Sequence, residues 1–153
     1  GGCGIVSLIA ARYGFSSVLT TDINEDALLF ARANILKNHM EDIVSVQHLD
    51  VQAPQPTHAH LPTYDIIAAS ELLYLDELHR PALKFLHNHL KDTGIAFFCT
   101  DRARQKPHFA KLAKKSFFVE EGHIGLKIQE DGKEERRIYD IFMLRKEKAS
   151  SPQ

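Results

Sequence analysis

Glycines and acidic residues stand at four points of the sequence where a strand of an α/β protein would end. The chain opens with Gly1-Gly2-Cys3-Gly4, and Asp22 follows 18 positions after the last of these glycines. Asp50 comes after a second apolar run, and Ala69-Ser70-Glu71-Leu72-Leu73-Tyr74 comes after a third. Ligands of open α/β sheets bind outside the carboxyl ends of the strands, so these four sets are the candidate functional residues.

The chemistry that these residues offer is recognition of an adenosine. Glycine lets the backbone approach a ligand closely, and the helix predicted after Gly4 has unpaired N–H groups at its start. The Asp22 carboxylate can accept hydrogen bonds from both ribose hydroxyls, and Asp50 can accept one from the adenine amino group. The segment Gly2–Ser7 reads G-x-G-x-x-S and lacks the third glycine of a dinucleotide fingerprint. The motif therefore does not distinguish NAD from other ligands that contain adenosine.

Alternating helices and strands are predicted to position these residues, from the spacing of apolar residues and from β-rich runs. The predicted helices are Ile5–Tyr13, a helix from Asn24 as N-cap to Lys37, one that begins at Asp76 or Pro81, and Lys106–Ser116. The predicted strands are Val18–Thr21, Ile43–Val51, Asp65–Ser70, Ile95–Thr100, and a hairpin of Ile124–Gln129 with Arg137–Arg145 around Asp131-Gly132. This order predicts an α/β fold, a doubly wound sheet with a C-terminal antiparallel hairpin. The run Asp65–Ser70 is typical of a parallel strand covered on both faces.

The composition is that of one globular domain, with 153 residues, 44% hydrophobic and 25% charged. The formal net charge of −1 disfavours nucleic acid as a partner. No apolar run approaches the roughly 18 residues that a membrane span needs. Cys3 and Cys99 have no paired spacing and are predicted to be reduced thiols in a cytoplasmic protein. We assign residues 1–146 to one domain and residues 147–153 to a flexible polar tail.

These motifs resemble the class I S-adenosylmethionine (SAM) methyltransferases, and among them the seven-β-strand group that contains many protein-lysine methyltransferases. That group carries an acidic residue followed by G-x-G-x-G after its first strand, and Gly2 and Gly4 match the last two of those glycines. Asp22 matches the acid that closes the second strand, and Asp50 matches an acid after the third. The segment Glu71-Leu72-Leu73-Tyr74 matches a D/E-x-x-Y/F signature after the fourth.

The resemblance extends from Gly1 to about Lys146. It implies a Rossmann-like sheet whose first strand, with the first glycine and its acid, lies before residue 1. In that fold the first strand is central, so we expect residues 1–153 alone to be poorly stable and to bind SAM weakly. It also implies that this chain is a methyltransferase domain, N-terminally incomplete, that uses SAM as its cofactor.

The resemblance implies a role for each candidate residue. Gly2, Cys3 and Gly4 would approach the methionine part of the cofactor, Asp22 would hold the ribose, and Ile23 would lie against the adenine. Asp50 would bind the adenine edge, and Ala69 and Ser70 would offer backbone groups beneath the sulfonium.

Glu71 and Tyr74 would face the methyl acceptor, most simply the amine of a protein lysine. Glu71 would orient that amine first and accept a proton only second, because a nearby carboxylate stabilises the charged ammonium that cannot attack. Tyr74 would form an aromatic wall for the acceptor's alkyl chain or cation. The family more often has Asp at the position of Glu71, and the extra methylene moves the carboxylate outward.

The sequence contains nine histidines, which are common metal ligands, and two pairs of them are closely spaced. Neither pair has the further ligands that a metal site needs, so we predict no metal site. His58 and His60 fall in a Pro-rich stretch that we interpret as a flexible surface loop, and His87 and His89 do not share a helix face. A basic set is interpreted as a solvated helix face, with a docking edge for an acidic protein or RNA as the alternative; it comprises Arg102, Arg104, Lys106, Lys111, Lys114 and Lys115.

Three other functions stay open from the sequence. The first is methylation of a small amine or of RNA instead of a protein. The second is an NAD(P)-binding oxidoreductase, which would explain the glycines and Asp22 but not Glu71 and Tyr74. The third is an inactive, truncated chain that serves as an interaction module. The sequence does not indicate the oligomeric state.

Overall fold

The computed structural model describes residues 2–53, 58–104, 108–130 and 133–146, without the side chains of residues 130 and 133. Gly1, Lys106, the predicted Asp131-Gly132 turn and the predicted tail of residues 147–153 lie outside the described residues. The elements are, in chain order, α1 (Ile5–Arg12), β1 (Val18–Asp22), α2 (Glu25–Lys37), β2 (Val44–His48), β3 (Tyr64–Ser70), α3 (Asp76–His89), β4 (Leu90–Asp101), α4 (His108–Ala113), β5 (Phe117–Glu130) and β6 (Lys133–Lys146). The predicted order of helices and strands is confirmed.

The chain divides into two compact units, and the first comprises residues 1–50. In this unit β1 pairs with β2 in parallel, and both strands end in the same direction, with Asp22 opposite His48. Helix α2 begins where the sequence predicts, because the Asn24 side chain accepts hydrogen bonds from the backbone N–H groups of Asp26 and Ala27. A small core of Ala11, Ile35 and Val44 holds the helices against the strands.

The second unit comprises residues 51–153 and contains a four-stranded sheet of order β3-β4-β6-β5. Strands β3 and β4 are parallel, whereas β6 is antiparallel to both β4 and β5. The predicted hairpin is therefore confirmed, although its strands are longer than predicted. Its core is aromatic: the ring of Phe109 lies 4.9 Å from that of Phe98 and 5.4 Å from that of Phe142, between centroids.

Two local predictions are wrong in detail, and one that offered two alternatives is decided. Strand β3 is not covered on both faces: it lies at the edge of its sheet, and Ile66 is 41% exposed. Helix α3 begins at Asp76, the first of the two predicted starts, and Pro81 lies in its interior. Arg102 and Arg104 do not belong to α4, which begins only at His108. No helix within the described ranges is long and apolar enough to cross a membrane.

Candidate active site

The glycine turn is shaped by two residues in the left-handed region of backbone space. Gly2 has a φ of 52° and Gly4 a φ of 81°, values that residues other than glycine rarely adopt. A Cβ on Gly4 would also lie 3.3 Å from the Cβ of Ala31 in α2, whereas a Cβ on Gly2 would meet nothing within 4 Å. The Asn34 side chain in turn donates a 3.0 Å hydrogen bond to the carbonyl of Cys3. One side of the turn is thus packed on α2, and Gly2 borders open space.

Asp22 is held against the glycine turn by backbone donors. The N–H of Gly2 donates to Oδ2 at 2.7 Å, and the N–H of Asn24 donates to Oδ1 at 3.0 Å. Partial burial acts to raise the pKa of this carboxyl, but hydrogen bonds to its charged form act to lower it, and the pKa lies below its usual value. The side chain is therefore a fixed carboxylate at neutral pH.

Asp50 and Ile23 lie in the segments that follow the two parallel strands of the first unit. The N–H of Leu49 donates a 3.0 Å hydrogen bond to the backbone carbonyl of Asp22, so the chain after β2 runs next to the end of β1. Asp50 follows directly and is half-buried, and Ile23 is 59% exposed although it is apolar. The predicted adenosine residues of the first unit therefore gather at the carboxyl end of its two strands.

This end of the first unit fits the adenosyl group of SAM. The Asp22 carboxylate is the kind of acceptor that ribose hydroxyls need, and backbone donors hold it at the end of β1. Ile23 presents an apolar side chain where an adenine needs one, and the open side of Gly2 admits close approach. These residues would hold the cofactor by hydrogen bonds and apolar contact.

The second unit places Glu71 directly after β3, at the carboxyl end of two parallel strands. Ser70, the last residue of β3, pairs with Cys99. Glu71 has a φ of 53°, its N–H donates to the carbonyl of Cys99 at 2.9 Å, and its Oε1 accepts from the N–H of Asp101 at 2.8 Å. Its Oε2 is buried and makes no hydrogen bond within the described part of the chain, and Nη1 of Arg104 lies 3.9 Å away.

The remaining predicted residues of this unit lie on the same connection. Ala69 is half-buried and Ser70 exposed at the end of β3, and Tyr74 is 43% exposed before α3 begins. Leu73 between them is fully buried in the core, so the connection is anchored in the middle. Glu71 and Tyr74 thus lie at either side of a buried anchor. We predicted that the candidate residues of both units bind one ligand, and this stays a prediction.

Glu71 is held by Asp101, which is not among the residues predicted from the sequence. Asp101 supplies the N–H for its carboxylate, and Arg102 follows with hydrogen bonds of 3.0 and 3.2 Å from Nε to the two carboxylate oxygens of Asp140 in β6. Arg102 is therefore paired with an acid and is not part of a solvated helix face. The contact to Glu71 uses the backbone N–H of Asp101, so no side-chain pattern in the sequence indicates it.

Cys99 is not placed as a nucleophile. Burial raises the pKa of its thiol, and the carboxylates of Glu71 and Asp140 raise it further. Since the thiolate is the reactive form, this cysteine stays protonated and inert. Both Cys99 and Cys3 are free thiols.

The interpretation of His58 as part of a flexible surface loop is wrong. Its side chain is 4% exposed and lies edge-on to Phe85, with ring centroids 5.6 Å apart. His89 is buried as well, 6.5 Å from His58 between ring centroids. No three His, Cys, Asp or Glu side chains of the described ranges gather as a metal-binding group.

Comparison with known proteins identifies a family. Residues 1–116 match the family described as lysine methyltransferase. A ribosomal protein L11 methyltransferase of Lactobacillus johnsonii is 30% identical over 129 residues, which make up 84% of this chain and 37% of that protein. The same-named protein of Listeria welshimeri is 34% identical over 84 residues, 54% of this chain and 26% of that one. The chain thus spans about a third or less of these curated relatives.

Solved structures share the fold at low sequence identity. A TehB-like SAM-dependent methyltransferase from Corynebacterium glutamicum superposes with a TM-score of 0.70 at 19% identity, covering 95% of this chain and 76% of that one. A methyltransferase from Pyrococcus furiosus does so with a TM-score of 0.64 at 19% identity, covering 93% and 70%. These likenesses confirm the Rossmann-like α/β fold. The family match over residues 1–116 is what favours the methyltransferase over the NAD(P) alternative. By its match over residues 1–116 and by this fold, the chain belongs to the lysine methyltransferase family.

Proposed function

We propose that this chain forms part of a SAM-dependent methyltransferase that modifies the side-chain amine of a lysine in a protein. The observation that supports this proposal most is the geometry of Glu71. A backbone N–H fixes one of its carboxylate oxygens, and the other has no hydrogen-bond partner among the described residues. A buried acceptor left open in this way favours a donor from a ligand. The family match and the names of the curated relatives support a protein acceptor.

A cationic side chain already lies near that open oxygen. The guanidinium of Arg104 comes within 3.9 Å of Oε2, and its side chain is 68% exposed, so little holds it there. An incoming lysine of similar length and charge can take the same position. We therefore interpret Arg104 as a cation that the acceptor lysine displaces.

Glu71 has two successive effects on the amine in this proposal. A lysine attacks only when neutral, and its ordinary pKa is about 10.4. The carboxylate accepts an N–H hydrogen bond and so turns the nitrogen lone pair toward the methyl group, a positioning effect. Methyl transfer would form the bond from nitrogen to the methyl carbon and break the bond from that carbon to the sulfonium sulfur, which would keep the electron pair. The nitrogen would then carry the positive charge, which the fixed carboxylate stabilises. Tyr74 packs along the alkyl chain of the lysine.

The cofactor would supply an electrophilic methyl group carried on a sulfonium. The residues of the chain bind it, exclude water and orient the acceptor. Asp22, Ile23 and Asp50 would hold the adenosyl part, Gly2, Cys3 and Gly4 would approach the methionine part, and Ala69 and Ser70 would line the reacting end. We also propose that the protein acts in the cytoplasm, where its free thiols stay reduced.

The test uses the full-length protein, radiolabelled SAM and a cell lysate as the source of acceptors. Acid hydrolysis of the labelled protein fraction should release label as methyl-lysine. Glu71→Gln should lower the rate of incorporation about ten- to a hundredfold with the affinity for S-adenosylhomocysteine within twofold. Asp22→Asn should instead weaken that affinity about tenfold, since a hydrogen bond to a charged group contributes about 1.5 kcal/mol or more.

Asp65→Asn is the matched control, because Asp65 is an exposed carboxylate at the opposite end of β3 and pairs with Lys91. It should leave incorporation and affinity unchanged. Label recovered in nucleosides would show that the methyl acceptor is RNA and not a protein lysine. No binding of S-adenosylhomocysteine by the full-length protein would remove the proposal altogether.

A further inference from the structure

A cavity of about 370 Å³ lies between α3 and α4 in the second unit. Its walls carry three permanent cations, Arg80, Lys111 and Lys115, and the apolar side chain of Leu112. None of the three cations has an ion-pair partner within the described ranges. The acid among the lining residues is Asp76, whose side chain is 58% exposed. The cavity is therefore cationic with one apolar side.

His79 forms the inner wall of this cavity and is completely buried. Its Nε2 lies 3.0 Å from the carbonyl oxygen of Leu73, and since a carbonyl only accepts, Nε2 carries the hydrogen. Nδ1 of the neutral ring is then an acceptor, and it makes no hydrogen bond within the described part of the chain. The nearby Asp76 carboxylate, 3.8 Å away, cannot donate to it when ionised. A residue that lines the cavity thus holds a buried acceptor that has no donor among the described residues.

We propose that this cavity binds an acidic segment of the protein substrate, an inference that rests on the proposed function. Carboxylates of that segment pair with Arg80, Lys111 and Lys115, and one of its N–H or O–H groups donates to Nδ1 of His79. An apolar side chain of the segment packs on Leu112. A peptide carries all three kinds of group within a few residues.

Charge favours a peptide over an RNA chain. Asp76 stands at the wall of the cavity, where it would repel a continuous run of phosphates more than the spaced carboxylates of a peptide, which can lie beside the cations and away from it. The third lysine of this face, Lys114, is already neutralised by Glu121 at 2.7 Å. Lys114 therefore adds little positive charge beside the cavity for a nucleic acid backbone to follow.

The test measures fluorescence anisotropy of a fluorescein-labelled peptide, Gly-Glu-Ser-Glu-Leu-Gly, against the full-length protein. The control peptide, Gly-Gln-Ser-Gln-Leu-Gly, carries the same label and replaces both side-chain carboxylates by amides of the same shape, and it should bind at least fivefold more weakly. The double variant Lys111→Gln/Lys115→Gln should weaken binding of the acidic peptide about fivefold or more, as expected for two partly exposed ion pairs. Lys114→Gln is the matched control and should change the affinity less than twofold.

Equal affinity for the two peptides, or an unchanged affinity in the double variant, would overturn the inference. So would tighter binding of a ten-residue oligouridine that the double variant abolishes, since that result assigns the cavity to RNA. Calorimetric titration of S-adenosylhomocysteine into the same preparations reports separately on the proposed function. If S-adenosylhomocysteine binds but the protein does not distinguish the two peptides, the docking site is wrong and the proposed function stands.

Discussion

Glu71 holds a backbone conformation that residues with a side chain seldom adopt. A left-handed non-glycine residue costs about 1 kcal/mol or more, and such residues persist where their surroundings hold them in place. Here the N–H bonds to the carbonyl of Cys99 and the carboxylate accepts from the N–H of Asp101. The same two contacts aim the side chain, so the strain and the position of the carboxylate have one cause. Strain of this kind is common where a side chain must be presented to a ligand.

At the residue scale, the depressed pKa of Asp22 predicts how stability depends on pH. The folded state binds this proton more weakly than the unfolded state, whose carboxyl has the ordinary value of 3.8. The carboxylate therefore contributes stability above pH 3.8, and that contribution is lost as the pH falls through the lower folded-state pKa. Wild type should unfold at higher urea than Asp22→Asn at pH 6, and the gap should narrow toward pH 3. A gap that widens in acid would contradict this sign.

The glycine turn packs on helix α2, and the side chain of Asn24 caps the start of this helix. Asn24 accepts from two of the backbone N–H groups that a helix leaves unpaired, and Glu25 and Asp26 place negative charge at the positive end of the helix dipole. Because Gly4 packs on Ala31 and Asn34 bonds to Cys3, a displaced α2 would displace the turn as well.

At the element scale, we expect Asn24→Ala to lower the free energy of unfolding by about 1 kcal/mol, the usual cost of losing an N-cap. Urea titration followed by circular dichroism measures it. Asn24→Asp retains an accepting oxygen and should stay within a few tenths of a kcal/mol of wild type. Equal losses in both variants would mean that the cap hydrogen bonds do not hold the helix.

At the scale of the whole molecule, stability rests on separate apolar cores. Phe109 joins α4 to the sheet of the second unit and is completely buried among Phe98, Phe142 and other apolar side chains. Through Leu73 the same core also anchors the connection that carries Glu71 and Tyr74. The packing of this core therefore determines how well the acceptor side of the site is positioned.

Phe109→Ala should lower the free energy of unfolding by about 3–5 kcal/mol, the range for removing a buried phenylalanine ring. The chain has no tryptophan, so circular dichroism in urea is the appropriate signal. Phe118→Ala is the comparison, because Phe118 is 53% exposed and its loss should cost well under half as much. Similar losses for both would show that Phe109 is not a core residue in solution.

Local patterns in the sequence determined the order of the elements and most of the candidate residues. Apolar periodicity, the Asn24 cap and strand-end acids each depend on a few consecutive residues, so they can be read without the fold. The resemblance to the methyltransferases likewise rested on short motifs at strand ends. Gly2, Gly4 and Asp22 came from such signals, and the structure joins them by hydrogen bonds and packing.

Only the tertiary structure decided which distant groups meet. The bond from Asp101 to Glu71 spans 30 positions and that from Arg102 to Asp140 spans 38, and no local pattern encodes such pairs. The burial of His58 and of His79 was equally invisible, because a histidine in a polar stretch becomes a core residue only when other elements close over it. Strand β3 came out at a sheet edge for the same reason: hydrophobicity predicts that a strand forms, whereas its neighbours are chosen by the pairing of the whole sheet.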